Sequence, residues 1–397
     1  MLPGFAPVGF TGFGRSLLGG SREPASRSLD VESTATITRR ALRQICCSHP
    51  GVYGMVDDQG QLIYIGKSRS LRQRLLSYFY AGAAGEKAGQ IIERTARIVW
   101  EPISSELGAL VRELELIRRW QPRFNVQGQP GRSRRAYICL GRAPAPYLSV
   151  AAQPSTRTEL SFGPLPAAAR LREAVRRLND YFGLRDCPEQ VPMVLADQRE
   201  LFSESLRPGC LRYEIGTCLG PCVGACTRAA YRGQVRRATS FLDGTDRSPL
   251  SKLMTEMRRA AELRKFEQAA TLRDLHQELG WVAEQLDRLA HVRRSYSFIY
   301  PLPGFAGRPT WLFIRGGTIV ASAFAPRNER DGRRRAKLID QVYVGGAPAH
   351  FEREDHGMLL LIGAWFRRYP AELEHTIDPL DALRHCQRPP CTFLRAG

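Results

Sequence analysis

The sequence predicts an α+β multidomain protein, and three observations carry that prediction. Strand-like runs and helical stretches interleave along the 397 residues instead of segregating into one class. Four cysteines, Cys210, Cys218, Cys222 and Cys226, crowd into seventeen residues and mark a separate metal-binding region. A stretch from Leu250 to Leu289, rich in Ala, Glu, Arg and Leu and free of proline, reads as a helical hairpin. A chain of this length is ample for two to four domains with a sizeable core.

Composition narrows the function classes. Hydrophobic residues at 43% and charged residues at 24% argue against wholesale disorder. No run of eighteen or more apolar residues occurs, which argues against a membrane span. Lys and Arg number 58 against 39 Asp and Glu, a formal net charge of +19, so a polyanion such as nucleic acid is the first partner to consider. Charge alone does not separate nucleic acid from an anionic membrane surface. The opening MLPGFAPVGFTGFGRSLLGG lacks a basic start and a continuous apolar core, so no signal peptide is expected. Ten unevenly spaced cysteines do not make a disulfide scaffold; a reducing cytoplasm is expected, where clustered cysteines read as metal ligands.

Element by element, residues 1–38 are Gly-, Ser-, Pro- and Arg-rich without periodicity and are expected to form a disordered tail. Residues 39–128 form a small α/β module. TRRALRQICC gives a short helix, and GVYGMV and QLIYIG give a hairpin across Asp57 to Gly60. SLRQRLLSYFYAG and Gln90 to Ala96 are helical, RIVWEPI is a third strand, and Ser105 to Trp120 is a long helix that Pro122 ends. Leu107, Leu110, Leu114 and Ile117 are its expected apolar stripe. A basic linker from Gln127 to Arg135 opens the region 129–245, with strands AYICL, YLSVAA and ELSF, a helix AAARLREAVRRLNDYF, and the cysteines. Residues 246–290 are read as an antiparallel helical pair turning near Arg264 and Lys265. Residues 291–397 begin with strands YSFIYPL, TWLFIR and TIVASAFA; Arg327 to Lys337 is expected to be a charged, solvated loop, and the rest is mixed.

Two constellations carry chemistry. The hairpin holds Tyr53 and Tyr64; Lys67, Arg74 and Tyr78 follow, then Glu113 on the long helix and Asn125 just beyond it. Phosphodiester hydrolysis needs a deprotonated water, stabilisation of an anionic transition state, and help for the leaving oxygen. A phenol whose pKa is pulled down by a nearby cation can act as base. Arginine offers a fixed fork of donors to phosphate, and one carboxylate can hold one Mg²⁺ that keeps most of its waters. Taken singly, GVY and YIG are ordinary strand sequence; the ordered set is specific. Glu115, two positions beyond Glu113, points off that face of the helix and is expected to stay solvated. In the second constellation, Cys210, Cys218, Cys222 and Cys226 stand at intervals of x7, x3 and x3, with Cys187 upstream across twenty-two intervening residues. Thiolates in fours suit zinc or an iron–sulfur cluster, and spacing does not decide between them.

PGVYGM, IYIGKSRSLRQRLLSYF and SSELGALVRELELIRRWQPRFNV together resemble the GIY-YIG nuclease family, and within it the UvrC branch of bacterial nucleotide excision repair. The resemblance implies a GIY-YIG DNA endonuclease that cuts on the 3′ side of a lesion with Mg²⁺ on Glu113. It implies phosphate stabilisation by Arg74, Tyr53 or Tyr64 as base, Lys67 lowering the pKa of phenol or water, and support from Tyr78 and Asn125. RPGCLRYEIGTCLGPCVGAC also looks like UvrC and implies a [4Fe-4S] cluster on Cys187, Cys210, Cys218 and Cys222, with Cys226 as an alternative ligand and Zn²⁺ as the alternative metal. MRRAAELRKFEQAATLRDLHQEL resembles the UVR motif, implying docking on a UvrB-like protein through Phe266, Glu267 and Arg273. WLFIRGGTIVASAFAP looks like the first strands of an RNase H-like region, of which residues 291–397 would be a remnant without the acidic and histidine residues of the 5′ cut. In this the chain is similar to a truncated, Cho-like relative. Damaged duplex DNA, gripped through Arg132, Arg134 and Arg135, is the expected substrate; neither a nucleotide cofactor nor a membrane is expected, and the location is the bacterial cytoplasm. The competing reading is a catalytically inactive, metal-stabilised adaptor for UvrB and DNA, or an autonomous GIY-YIG nuclease.

Overall fold

The computed structural model describes residues 9–18, 26–31, 35–80, 86–125, 136–166, 168–198, 209–304, 307–345 and 356–387. It divides into two compact units, Met1–Ser133 with Val292–Gly397, and Arg134–His291. Among the described residues no helix is long and apolar enough to cross a membrane.

The first unit opens with β1 (Arg27–Asp30), α1 (Ala35–Ile45), β2 (Gly51–Val56), β3 (Leu62–Ser68), α2 (Leu71–Ser77), α3 (Glu86–Glu93), β4 (Arg97–Pro102) and α4 (Glu106–Trp120). The strands make one antiparallel sheet in the order β1-β4-β2-β3. The β2–β3 turn closes because the Asp57 carboxylate accepts from the Gln61 amide at 2.8 Å and Gly60 takes a left-handed φ of 75°. β2 is buried along its whole length because both faces of the sheet are covered. Leu42, Leu71, Leu75 and Ile91 pack on the Tyr53, Met55 and Trp100 side. Ala109, Leu116 and Ile117 of α4 cover the Val52, Val56 and Val99 side. Ser105 caps α4 by accepting from the Gly108 amide at 3.0 Å, and Gln121 ends it in the left-handed region at φ 44°. Leu110 and Leu114, expected in the stripe of α4, are only half-buried; the sheet instead takes Ala109 and Leu116.

The expected tail is structured where it is described. β1 extends the sheet by pairing with β4, and Phe13 is buried against Val52 and Val99. Two arginines of α4 collect main-chain carbonyls of this segment: Arg112 donates to Gly14 at 2.6 Å and to Arg15 at 2.8 Å, and Arg119 to Phe13 at 2.6 Å. Glu115 is not solvated either; it accepts from the Leu17 amide at 2.7 Å and from Arg112 at 3.2 Å. Main-chain carbonyls of a Gly-rich stretch leave no side-chain pattern, so periodicity cannot reveal such docking.

The second unit holds β5 (Ala136–Gly141), β6 (Leu148–Ala151) and β7 (Thr158–Leu165), antiparallel in the order β6-β5-β7. Then follow α5 (Ala168–Phe182), the single turn α6 (Leu211–Glu214), α7 (Arg228–Asp243), α8 (Ser248–Glu262) and α9 (Phe266–Ser295). The expected boundary between residues 245 and 246 is not a core boundary. Leu253 of α8 and Leu279, Val282 and Ala283 of α9 share one core with Ile138, Leu178 and Phe241. A helical pair this short buries too little by itself, so its base is held by the sheet domain. The turn between α8 and α9 has Arg264 at φ 57° and leaves Leu263 and Phe266 exposed.

The chain then completes the first unit with β8 (Phe298–Leu302), β9 (Thr310–Arg315), β10 (Thr318–Phe324), α10 (Glu329–Ile339), α11 (His356–Arg368) and α12 (Pro379–Gln387). Its antiparallel sheet runs β10-β9-β8. Trp311 and Phe313 pack with Ile339, Ala382 and Cys386 on one side. Phe366 meets the rings of Tyr296, Phe298 and Tyr300 at centroid distances of 5.4, 5.3 and 5.3 Å. The region read from sequence as residues 291–397 packs, from Val292 on, with the α/β module of residues 39–128 in one unit. Helix α11 packs against α4, Ser104 donates to the Pro303 carbonyl, and Ser322 donates to that of Leu17. The expected loop from Arg327 to Lys337 is largely helix, because Asn328 caps α10 by accepting from the Asp331 amide at 2.9 Å and Ile339 is buried.

Candidate active site

The hairpin register places Tyr53 of β2 across from Gly66 of β3 and beside Trp100 of β4. A Cβ on Gly66 would lie 2.5 Å from the Tyr53 hydroxyl oxygen and 2.6 Å from the ring carbon that bears it, so only glycine leaves room for that ring. On α2, Arg74 and Tyr78 are four residues apart and share one side of the helix end, the guanidinium 5.1 Å from the ring centroid. Arg74 Nε donates to the Tyr53 hydroxyl at 3.0 Å, and that hydroxyl lies 3.0 Å from the Tyr78 hydroxyl. Arg74 Nη2 reaches Tyr78 at 3.5 Å, and the Tyr64 ring centroid is 6.1 Å from that of Tyr53. Tyr53, Tyr64, Arg74 and Tyr78, predicted from sequence, are thus brought together.

The electrostatics of this cluster reverse the expected sense. Burial, then the neighbouring phenols, push the Tyr53 hydroxyl well above its ordinary range, and Arg74 only partly opposes this. Burial pushes Tyr64 up to about 12, with Tyr78 and Glu113 adding to the rise. The leading influences on both phenols are burial and their neighbours, while that of Lys67 is felt at Glu113. A lowered phenol pKa would need a cation dominating the site, but here desolvation dominates.

Burial raises the Glu113 carboxyl to about 7, while the ammonium and main-chain amide of Lys67 pull it back. Glu113 forms no salt bridge among the described residues. A half-buried carboxylate on rigid α4, destabilised by burial and without a fixed counter-ion, fits a divalent cation, whose charge would restore the ionised form. Asn125 does not reach the phenols. Its side chain accepts from the Ile65 amide at 2.7 Å and donates to the Ile65 carbonyl at 2.6 Å, so it fixes the strand between Tyr64 and Gly66.

Sequence reasoning missed two supports. Gly66 was visible only as a letter of a motif; the hairpin pairing set by the Asp57–Gly60 turn places it against Tyr53. The other is the ion pair of Arg112 and Glu101, 3.1 Å apart with side chains 0% and 2% exposed, which holds α4 to β4. Arg112 is one of three arginines of α4, and nothing in the one-dimensional pattern marks it as buried.

In the second unit the cysteines are neighbours but do not close on one ion. The Cys222 thiol is raised by burial and then by Cys210 and Cys187. Cys218 is raised by burial, with Cys210 and Cys222 adding to it, and Cys226 reaches about 11 through burial, Cys218 and Asp197. Among the described residues no three His, Cys, Asp or Glu side chains are arranged to hold a single metal ion. Phe266 and Glu267 are exposed at the start of α9, and Arg273, also exposed, pairs with Asp274 at 2.8 Å. Arg132, Arg134 and Arg135 lie outside the described residues.

Comparison with known proteins adds an independent view. Residues 49–126 match the UvrC-like GIY-YIG domain, and residues 136–241 match the middle domain of the UvrC/Cho excinucleases. The chain is 31% identical over 321 residues to UvrABC system protein C of Pseudomonas savastanoi pv. phaseolicola, covering 79% of this chain and 50% of that protein. It is 36% identical over 261 residues to the Photobacterium profundum protein of the same name, covering 66% of this chain and 40% of that one. The chain therefore spans about half the length of the curated relatives it matches. Among solved structures, the N-terminal endonuclease domain of UvrC from Thermotoga maritima with its catalytic magnesium is 31% identical, covering 22% of this chain and 97% of that one at a TM-score of 0.21.

Proposed function

As a chain that carries the UvrC GIY-YIG domain followed by the UvrC/Cho middle domain, this protein is, we propose, a Mg²⁺-dependent DNA endonuclease of nucleotide excision repair that nicks on the 3′ side of a lesion. The observation that carries the reading is the convergence of Arg74 with three phenols beside the half-buried carboxylate Glu113. Arg74 keeps Nη1 for a phosphate oxygen while Nε stays on Tyr53, so the guanidinium is held in place before substrate arrives. Tyr53, 1% exposed and bonded on its hydroxyl to Arg74 and Tyr78, positions the arginine and does not reach water. Burial favours Tyr64, the half-exposed phenol, as the group that accepts the proton of the attacking water. Its raised pKa keeps the phenol protonated in the metal-free chain, so it would act as base only where a cation held beside Glu113 pulls that pKa down. Glu113 would hold Mg²⁺, which the Thermotoga maritima domain binds and which supplies Lewis-acid polarisation of the phosphate.

The finer parts of the reading have their own support. The exposed Leu263 and Phe266 at the α8–α9 turn suit a UVR-type docking surface for a UvrB-like protein. The proximity of Cys210, Cys218 and Cys222, with Cys187 acting on Cys222, suits a [4Fe-4S] cluster, which binds each thiolate to a different iron. Anaerobically purified protein should carry iron and sulfide that Cys222→Ala removes; zinc in their place would refute the cluster. Residues 291–397 are read as the remnant of an RNase H-like region. The nuclease reading is tested by nicking of a duplex with Mg²⁺. Arg74→Ala should lower the rate by about 10²-fold or more, and equal rates for variant and parent would refute the assignment.

A further inference from the structure

The C-terminal part of the first unit brings a second set of cations beside the candidate site. Helix α11 buries Met358, Leu359, Ile362 and Phe366 and ends in Arg367 and Arg368, both exposed. Tyr369 follows. Its ring lies 4.5 Å from that of Trp365, and its hydroxyl accepts from Arg69 Nη2 at 2.5 Å. The Arg368 guanidinium stands 5.5 Å from the Tyr369 ring centroid. Arg69 is held in turn by Glu106, with Nε 2.7 Å from the carboxylate. Two guanidinium groups, those of Arg69 and Arg368, thus meet at one tyrosine, and Arg367 is exposed one residue before Arg368. Neither Arg367 nor Arg368 has a salt bridge among the described residues. Arg69 sits in the short connection between Lys67, whose amide meets Glu113, and α2, which carries Arg74.

Exposed cations held by aromatic stacking lose little side-chain freedom when they take an anion. Their place in the same compact unit as the nuclease residues argues for the backbone of the DNA strand that flanks the cut, and against a lipid surface. We propose that Arg368, set by Tyr369 beside Arg69, and the adjacent exposed Arg367 form a phosphate-binding rim that extends the candidate active site. The inference rests on the nuclease reading and deepens it, since a segment outside both matched domains would supply part of the DNA grip.

The test measures binding of a fluorescein-labelled duplex across a salt series, using the full chain with Arg74→Ala and without Mg²⁺ so that cutting does not intervene. Each phosphate contact contributes about one to the slope of log affinity against log salt. Arg367→Ala with Arg368→Ala should therefore flatten the slope by about one to two, and Arg367→Lys with Arg368→Lys should restore it. Arg368→Gln alone, a milder change at an exposed residue, should flatten it by about one. An unchanged slope in the double-alanine and the glutamine variants, with parental melting, would overturn the rim and leave the nuclease reading standing. Failure of the parent chain to bind duplex at all would overturn both.

Discussion

Tyr53 and Gly66 act as one fitted pair, and the fit gives a sharp expectation at the level of a single methyl group. Gly66→Ala drives a Cβ to 2.5 Å from the Tyr53 hydroxyl oxygen, which must displace the ring and with it Arg74. A displacement of about 1 Å at a catalytic arginine costs on the order of 10²-fold in rate. Nicking by Gly66→Ala should fall by that order while its circular dichroism spectrum stays that of the parent; parental nicking would show that the pair has no bearing on Arg74. Glu113 gives a second expectation, in pH. Its carboxyl, ordinarily near 4.5, lies at about 7 in the folded chain. Between those values the folded state holds a proton that the unfolded state has released, so stability without metal falls as pH rises from about 4.5 to about 7. The loss is on the order of 3 kcal/mol. Melting temperatures without Mg²⁺ should decline across that window; Glu113→Gln should abolish the decline, and Mg²⁺ should restore stability above pH about 7. A parental decline in Glu113→Gln would assign it to another group. That Tyr53, Tyr64, Arg74 and Tyr78 would lie together was legible from their ordered spacing. The direction of the phenol pKa values was not, because desolvation comes from residues remote in sequence such as Trp100 and Leu75.

Among the elements, α4 carries the most. It presents Glu113, covers one side of the sheet, and through Arg112 ties β4 and the N-terminal segment together. Removing one partner of a buried ion pair leaves the other charge uncompensated, at a cost of about 3–5 kcal/mol. Arg112→Met should lower stability by that amount in urea melts, and Glu101→Gln combined with it should recover part of the loss; an additive double variant would mean that the two residues do not act as a pair. The hairpin, the helices and the α8–α9 turn were legible from local signals: alternation, caps, and the break near Arg264. β1 and α10 were not. β1 is four residues long and owes its existence to pairing with β4. α10 contains three consecutive arginines and a glycine, and depends on the Asn328 cap and the burial of Ile339.

For the whole molecule, the five-part division read from sequence becomes two compact units. Composition shifts mark linkers, but they do not say which pieces share a core. Residues 246–290 join the cysteine-rich region through Leu253 and Leu279, and residues 292–387 join the nuclease-like module through α11. The net charge of +19 was legible at once and is consistent with a polyanionic substrate. The most direct test of the account is cleavage of a lesion-bearing duplex, end-labelled on each strand in turn, by anaerobically purified protein with Mg²⁺ and UvrB. Glu113→Ala and Phe266→Ala run alongside. The account predicts one nick on the 3′ side of the lesion, lost in Glu113→Ala and reduced to the UvrB-free level in Phe266→Ala. Undiminished cutting by Glu113→Ala, or no cutting by parent protein that still binds UvrB and DNA, would contradict it.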